Sequence, residues 1–435
     1  MDAKVSVGLL GVGVVGSGVM TLIEKHQKKL MHQLGCPVEV KKALVRDPNK
    51  KRAIDTGASE TVLTLDAADV LDDPEIDVVI EVMGGIEEAR RHILSAFAAG
   101  KHVVTANKDL VALHGAELHE AAAQNNCDLY YEASVAGGIP ILRGITDGFA
   151  SDHIEQVMGI VNGTTNFILT KMHQEGVSYD DALAQAQELG FAEADPAADV
   201  EGLDAARKMA ILGRLAFSTY IDLDDIDVTG INGIELADLK YADTLGFTMK
   251  LIGFAKFDGK RVEINVQPAL ISRNHPLADV KNEYNAVYVY GEAVGEAMFY
   301  GAGAGSMPTA AAIISDAVTV GKNMHRGVTG SQFIEPRFKK ELKSTDEQFG
   351  QYYLRLHVRD EAGVFSRISD TFNEQAISFK QILQRPSDQP ETAEIVVVTH
   401  EASLAIMQQA LEHLQDLDTV LAVVSFYKAE GDADT

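Results

Sequence analysis

The sequence predicts an α/β chain in three parts. These are an N-terminal parallel sheet covered by helices, a central α+β part, and a C-terminal unit of four strands and two helices. Three observations predict it. Strand-like and helix-like stretches alternate through the first 130 residues, the pattern of a parallel sheet with helices on both faces. That alternation stops near residue 137. Beyond residue 351 the order becomes β-α-β-β-α-β, the split βαβ or ferredoxin-like motif. Length agrees, because 435 residues at roughly 100–200 per domain make two to four domains. The boundaries are expected at 1–136, 137–336 and 352–428.

In chain order, residues 5–10 (Val-Ser-Val-Gly-Leu-Leu) read as a buried strand and residues 38–45 as a second. Residues 77–82, 102–105 and 128–131 read as three more, with helices at 86–99 and 110–124 between them. In the central part, a strand at 154–161 precedes helices at 166–175, 179–189 and 203–217. Strands at 262–271 and 286–290 follow. Glycines 291, 295, 301, 303 and 305 then break the chain before a helix at 309–320. The most apolar stretch, 300–320, carries Asp316 and reads as buried core. A basic, polar linker spans 337–351. The C-terminal elements are expected at 352–358, 364–374, 377–384, 394–399, 404–414 and 420–427.

Composition narrows the function. Apolar residues are 46% and charged residues 23%, which is ordinary for a globular chain. The 38 basic and 64 acidic residues leave a net charge of −26. Nucleic-acid binding leans on clustered Lys and Arg, so that class is excluded. No run of about 18 uncharged apolar residues suggests a membrane span. Cys36 and Cys127 make no disulfide framework, and no basic, cleavable leader opens the chain. The pair reads as reduced thiols of a cytoplasmic protein.

Four motifs carry chemistry. Gly11-Val12-Gly13-Val14-Val15-Gly16 is a G-x-G-x-x-G between a strand and a helix. The first glycine allows the tight turn, the second admits a pyrophosphate, and the third packs helix on strand. The amides of Val14 and Val15 then open the helix toward the phosphates. This is the Rossmann dinucleotide-binding arrangement. Arg46 follows the second strand, with Lys50, Lys51 and Arg52 close behind. Arginine there suits the 2′-phosphate of NADP, whereas an acidic residue suits NAD, and Asp47 keeps NAD open. Thr105-Ala106-Asn107-Lys108 ends a strand at the cofactor side, where a lysine can meet a carbonyl or a developing alkoxide. Finally, 190–208 packs Glu193, Asp195, Asp199, Asp204 and Lys208 closely, and Asp204 and Lys208 lie one helical turn apart.

These motifs, with 131–140 (Tyr-Glu-Ala-Ser-Val-Ala-Gly-Gly-Ile-Pro) and Asn162-Gly163-Thr164-Thr165-Asn166, closely resemble homoserine dehydrogenase of the long form with a C-terminal ACT domain. The likeness covers essentially the whole chain. It implies reversible NAD(P)-dependent interconversion of L-homoserine and L-aspartate 4-semialdehyde in threonine, methionine and isoleucine biosynthesis. It implies that Lys208 and Lys108 are catalytic, with the proton donor between them left open. Glu193, Asp204, Gly163 and Thr164 would meet the substrate, and Gly303 and Lys108 would lie against the cofactor. Glu132, Val135, Gly137 and Ile139 match positions that hold a monovalent cation, expected to be sodium. The resemblance further implies a homodimer through the central part or a homotetramer through the ACT domain. Asp360, Gly363, Val364 and Asn373 are candidates for an effector site for L-threonine. A different amino-acid dehydrogenase and a catalytically silent sensor are the competing readings. The contiguous lysine and glutamate motifs weigh against both.

Overall fold

The computed structural model describes residues 4–52, 61–330 and 336–431. β1 (Val5–Leu10), α1 (Val14–Leu34), β2 (Val38–Leu44), β3 (Val62–Thr64), α2 (Ala68–Leu71), β4 (Val78–Glu81), α3 (Glu87–Ala98), β5 (His102–Thr105), α4 (Lys108–Gln124) and β6 (Leu129–Tyr130) come first. All six strands run parallel in the order β3-β2-β1-β4-β5-β6. Strand order reverses between β1 and β4, so a crevice opens at their carboxyl ends. β1 is buried at every position, as a strand covered on both faces must be.

The centre continues with α5 (Ile141–Arg143), β7 (Ile154–Ile160), α6 (Gly163–Glu175), α7 (Tyr179–Glu188), α8 (Ala197–Val200), α9 (Leu203–Phe217), β8 (Asp227–Val228), α10 (Leu236–Thr244), β9 (Phe247–Phe257), β10 (Val262–Ser272), β11 (Tyr284–Gly291), β12 (Gly295–Ala302) and α11 (Ser306–Arg326). The C-terminal elements are β13 (Phe349–Arg359), α12 (Val364–Glu374), β14 (Phe379–Pro386), β15 (Thr392–Thr399), β16 (Ala402–Ser403), α13 (Leu404–Gln415) and β17 (Val420–Glu430).

Two compact units result, and neither is continuous in sequence. The first takes 1–157, 207–224 and 285–339; the second takes 158–206, 225–284 and 340–435. They cut the chain differently from boundaries placed near 136 and 336. In the first unit, Ala310, Ile313, Ala317 and Val320 of α11 pack into one core with Val5, Val7 and Leu9 of β1 and Val19 and Ile23 of α1. In the second unit, β9 and β10 pair antiparallel from Phe247↔Ser272 to Phe257↔Val262. β10 then takes β17 as a parallel neighbour at Ala269↔Lys428. β13 lies between β17 and β15, and β15 pairs with β14. The split βαβ sheet is therefore joined edge-on to β10.

A buried charge cluster secures that junction. Arg355 of β13 donates to Asp238 at 2.8 Å, to Glu394 at 2.7 Å and to Glu235 at 2.6 Å. Tyr353 and Ser425 also donate to Asp238, at 3.0 and 2.7 Å. Lys428 of β17 pairs with Glu263 of β10 at 2.9 Å and lies over the Phe254 ring. Both cations are nearly dry, so their partners are obligatory.

The structure departs from the sequence reading in several places. The glycines at 295 and 301 do not break the chain but lie in β12. Residues 300–307 are not buried core, because β12 alternates exposed and half-buried positions and Tyr300 is 54% exposed. Only the later part of the stretch, on α11, is interior. β9 was invisible because nearly all its positions are buried, which removes the alternation that marks a half-exposed strand. The structure also adds α10, β3 and α2, the last two only 3 and 4 residues long and too short for a periodic pattern. Both cysteines are buried and free, and burial pushes both thiols up.

Asp238 is the anion on which three donors converge. Asp238→Ala should cost roughly 3–5 kcal/mol, the range for stranding a buried charge. The midpoint of chemical denaturation measures it. A loss below about 1 kcal/mol would mean that Arg355 has sufficient partners without it.

Candidate active site

The glycine loop is shaped for a phosphate. Gly11 has φ +104°, and a Cβ there would lie 2.9 Å from the Val82 carbonyl oxygen. A Cβ on Gly16 would lie 2.1 Å from the Gly11 carbonyl oxygen, so only glycine lets α1 sit this close to β1. A Cβ on Gly13 would meet nothing within 4 Å. Protein packing therefore does not require Gly13; an approaching ligand would. Gly13 also supplies no side-chain cap to α1, and Val14 is 72% exposed, so the start of the helix is accessible. Val15 is partly buried against the core. These residues fit a dinucleotide.

Arg46 stands exposed just beyond β2. One oxygen of the neighbouring Asp47 carboxylate accepts from the Asn49 amide at 2.8 Å and closes its own turn. Arg52 donates to the Asp47 and Lys50 carbonyls at 2.7 and 2.9 Å, so it braces this loop. Of the expected cluster, Arg46, Lys50 and Lys51 face outward.

The ends of β4 and β5 are organised by Glu81, which sequence reasoning missed. Its buried carboxylate accepts from Thr105 Oγ1 at 2.6 Å and from the Met83 amide at 2.9 Å. Burial pushes this carboxyl up. Asn107 caps α4 by accepting from the Leu110 amide at 3.2 Å and ties back to the Gly85 carbonyl at 2.6 Å. Lys108 is thereby fixed at the first position of α4. α9 approaches the same end of α4. Arg207 pairs with Asp109 at 2.9 Å, and Arg214 donates to the Val111 and Ala112 carbonyls at 3.2 and 2.7 Å. Lys108 and Lys208 are each the next residue to a member of the Arg207–Asp109 pair.

The segment 132–139 lies in the same unit. Glu132 is 2% exposed, and its carboxylate accepts the amides of Leu142 at 2.8 Å and Arg143 at 3.0 Å. Asp316 of α11 accepts the Glu132 amide at 2.9 Å and pairs with Arg143. Burial raises Glu132 to about 7 and Asp316 to about 6. Ala136 and Gly137 both take φ +52°, turning the main chain of Val135, Gly137 and Ile139. A Cβ on Gly137 would lie 2.5 Å from the Gly303 carbonyl oxygen, so this turn rests against the segment after β12. Gly303 is itself closely enclosed, with Asn285 where its Cβ would be. Ser306, at the start of α11, donates to the Val14 carbonyl at 2.7 Å. When both carboxyls are ionised, two dry carboxylates beside one arginine leave a negative excess, which is the form a bound cation favours, and the set offers hard oxygen donors. It fits a monovalent cation.

The second unit holds the other candidates. Asn162 caps α6 by accepting from the Thr165 amide at 2.9 Å. Its Nδ2 donates to Asp199 at 2.7 Å and to Asp204 at 2.8 Å, bridging two carboxylates. Asp204 is 6% exposed. Thr164 donates to the Phe191 carbonyl at 2.6 Å and to Asp199 at 3.2 Å. A Cβ on Gly163 would lie 2.6 Å from the Glu283 carbonyl oxygen, which explains that glycine structurally. Glu193 is exposed in the loop between α7 and α8. The organising role of Asn162 had one sequence signal, an Asn opening a helical stretch.

In the C-terminal part, Gly363 takes φ +94° as the residue before α12 and gives that helix no side-chain cap. Asp360 is exposed beside it and Val364 is buried. Asn373 lies ten residues along α12, roughly 15 Å away at 1.5 Å per residue, so the structure does not bring it to Gly363.

Comparison with known proteins matches three sequence families. Residues 11–132 match "Homoserine dehydrogenase, NAD binding domain", 140–318 match "Homoserine dehydrogenase", and 352–419 match "ACT domain". The homoserine dehydrogenase of Bacillus subtilis is 56% identical over 98% of both chains. A crystal structure of a homoserine dehydrogenase from Thiobacillus denitrificans superposes with a TM-score of 0.92 at 37% identity, covering 98% of both chains. A hyperthermophilic archaeal homoserine dehydrogenase in complex with NADPH shares the fold at TM-score 0.63 and 24% identity, over 77% of this chain and 100% of its own.

The Asn162 bridge is directly testable. Asn162→Asp retains a capping oxygen but sets a third carboxylate against two others. It should destabilise more than Asn162→Ala at pH 7, by about 1 kcal/mol or more. The gap should close near pH 4 as the introduced carboxyl protonates. Thermal unfolding of both variants across this range checks it, and equal losses at pH 7 would refute the bridge.

Proposed function

The chain belongs to the homoserine dehydrogenase family, and from that premise we propose that it interconverts L-aspartate 4-semialdehyde and L-homoserine with NADP(H), in threonine, methionine and isoleucine biosynthesis. The observation that carries the reading is the Arg207–Asp109 ion pair, which ties together the two segments that bear Lys108 and Lys208. The glycine loop of Gly11, Gly13 and Gly16 would hold the pyrophosphate of the dinucleotide, whose nicotinamide would supply the hydride for the aldehyde carbon.

The chain's own task is to manage charge at the aldehyde oxygen. As the carbon gains a hydride, its oxygen becomes an alkoxide and must take a proton. A lysine ammonium stabilises that oxygen by charge and hydrogen bond before donating a proton to it. Lys208 is assigned this role, with Lys108 its neighbour at the cofactor side. In the reverse direction the same amine accepts the alcohol proton. Glu193 takes the substrate ammonium, and Asp204, held by Asn162, orients the substrate with Gly163 and Thr164.

Sodium is assigned to Glu132 and the carbonyls of Val135, Gly137 and Ile139. The buried excess of carboxylate at Glu132 and Asp316 supports it. NADP is favoured over NAD because Arg46 is exposed just beyond β2, while Asp47 Oδ1 accepts the Asn49 amide within its own turn. Assembly as a homodimer, or a homotetramer, is supported by exposed Tyr290, Val294, Met298 and Tyr300 along the β11–β12 hairpin. A cytoplasmic location goes with NADP(H)-linked chemistry on small polar metabolites. L-Threonine is proposed as an effector at Asp360, Gly363 and Val364, where the uncapped start of α12 can receive a carboxylate. Asn373, at the far end of α12, belongs to that proposal only as a separate contact.

Initial rates with homoserine and either cofactor test the whole reading. Arg46→Ala should weaken NADP by roughly 1.5–3 kcal/mol, the range for a charged hydrogen bond, and leave NAD nearly unchanged. Equal losses would remove the assignment.

Lys208→Ala should cut turnover by about 10²–10⁴-fold while cofactor affinity survives. Glu193→Ala should chiefly raise KM for homoserine. Near-normal turnover of the Lys208 variant at saturating substrate would transfer the proton to Lys108.

Threonine should inhibit the full chain, and Gly363→Val, strained at φ +94°, should lose inhibition but keep its basal rate. Undiminished inhibition would place the effector elsewhere. Truncation is a poorer test, because β13 and β17 complete the charge cluster around Asp238 and Glu263.

A further inference from the structure

The second unit contains a cavity of about 440 Å³ that none of the residues assigned above lines. Its wall includes Lys250, on β9, which is 2% exposed. The Lys250 ammonium donates to Asn166 Oδ1 at 3.0 Å and to the Val280 carbonyl. Both acceptors are neutral, and among the described residues no carboxylate pairs with it. A buried ammonium without a counter-charge is costly, and native proteins normally supply one.

The charged groups around it come from every neighbouring element. α6 contributes His173, the end of α10 Asp243, the turn after β10 Arg273, and the following loop Asp279 and Lys281. Asp243 is engaged by Arg273 and lies 3.4 Å from His173. Asp279 and Lys281 are 4.0 Å apart. With His173 neutral and Lys250 protonated, three cations face two carboxylates, leaving a positive excess inside a chain of net charge −26.

We propose that this cavity binds a small oxyanion, either an amino-acid carboxylate or a phosphate, with Lys250 behind it and Arg273 and Lys281 beside it. Binding is coupled to a proton. Burial, with Lys281 adding to it, pushes Lys250 down to about 7, so near neutrality Lys250 is only half protonated while the site is free. An anion favours the ammonium and raises that value again. Binding therefore takes up a proton and weakens as pH rises.

The test is titration calorimetry on the full chain, saturated with NADP so that the glycine loop is occupied, at constant sodium concentration. Sulfate is the reference probe because it does not titrate between pH 6 and 8. One saturable site is expected, about tenfold tighter at pH 6 than at pH 8, with proton uptake revealed by buffers of different ionisation enthalpy. Acetate and inorganic phosphate identify the source, the tighter of the two marking a carboxylate or a phosphate ligand. Lys250→Met should abolish binding and uptake. Lys281→Ala, at an exposed position, should weaken sulfate several-fold and keeps the test decisive if the buried variant fails to fold. No saturable binding at pH 6, or unchanged affinity in Lys281→Ala, would overturn the proposal.

Discussion

The first unit depends on a helix that arrives at Ser306, long after the parallel sheet is complete at Tyr130. A sheet of strands buried on both faces must be covered on both faces. α1 covers part of one, but β1 and α1 still present apolar surface that α11 closes with Ala310, Ile313, Ala317 and Val320. At one burial position α11 presents Asp316 instead. That carboxylate accepts the Glu132 amide and pairs with Arg143, so one helix both closes the core and fixes the loop that carries the cation candidates. Its first residue, Ser306, bonds to the Val14 carbonyl beside the glycine loop. Core closure and site geometry are therefore one packing event.

A chain of charge −26 must decide where its carboxylates go. The interior answers locally each time. Glu81 is given amides and a hydroxyl, Glu132 amides, Asp238 an arginine with two hydroxyls, and Asp199 and Asp204 a shared amide from Asn162. None of these anions is left to long-range attraction, which salt would screen. The same economy makes Lys250 conspicuous, since among the described residues this buried amine hydrogen-bonds to neutral acceptors only.

Much of the fold was legible. The helix over 203–217 and that over 364–374 match α9 and α12 to the residue, because each shows an apolar stripe at helical period between clear boundaries. The glycine loop was legible because its three glycines do three different physical jobs at fixed spacing. β9 was not, since a strand buried on both faces loses its alternation, and Lys250 within it suggests exposure that the fold denies. The glycines of β12 misled in the opposite direction: they read as breaks, but Gly301 lies against Ile139 inside a strand.

Local sequence by itself determined the dinucleotide loop, the strand and helix alternation of residues 5–130, and the β-α-β-β-α-β order of the C-terminal part. Each rests on spacing within about 30 residues, which the chain carries before it folds. Only the tertiary structure decided which distant groups share a charge: Asp316 with Arg143, Asp238 with Arg355, Asn162 with Asp204, Asp109 with Arg207. It also decided that the compact units would be discontinuous, because α11 buries its apolar face against β1 and α1 rather than against its neighbours in sequence. The reason is that burial and ion pairing are properties of what surrounds a side chain. For a residue on α11 or β13, those surroundings come from chain more than 100 residues away.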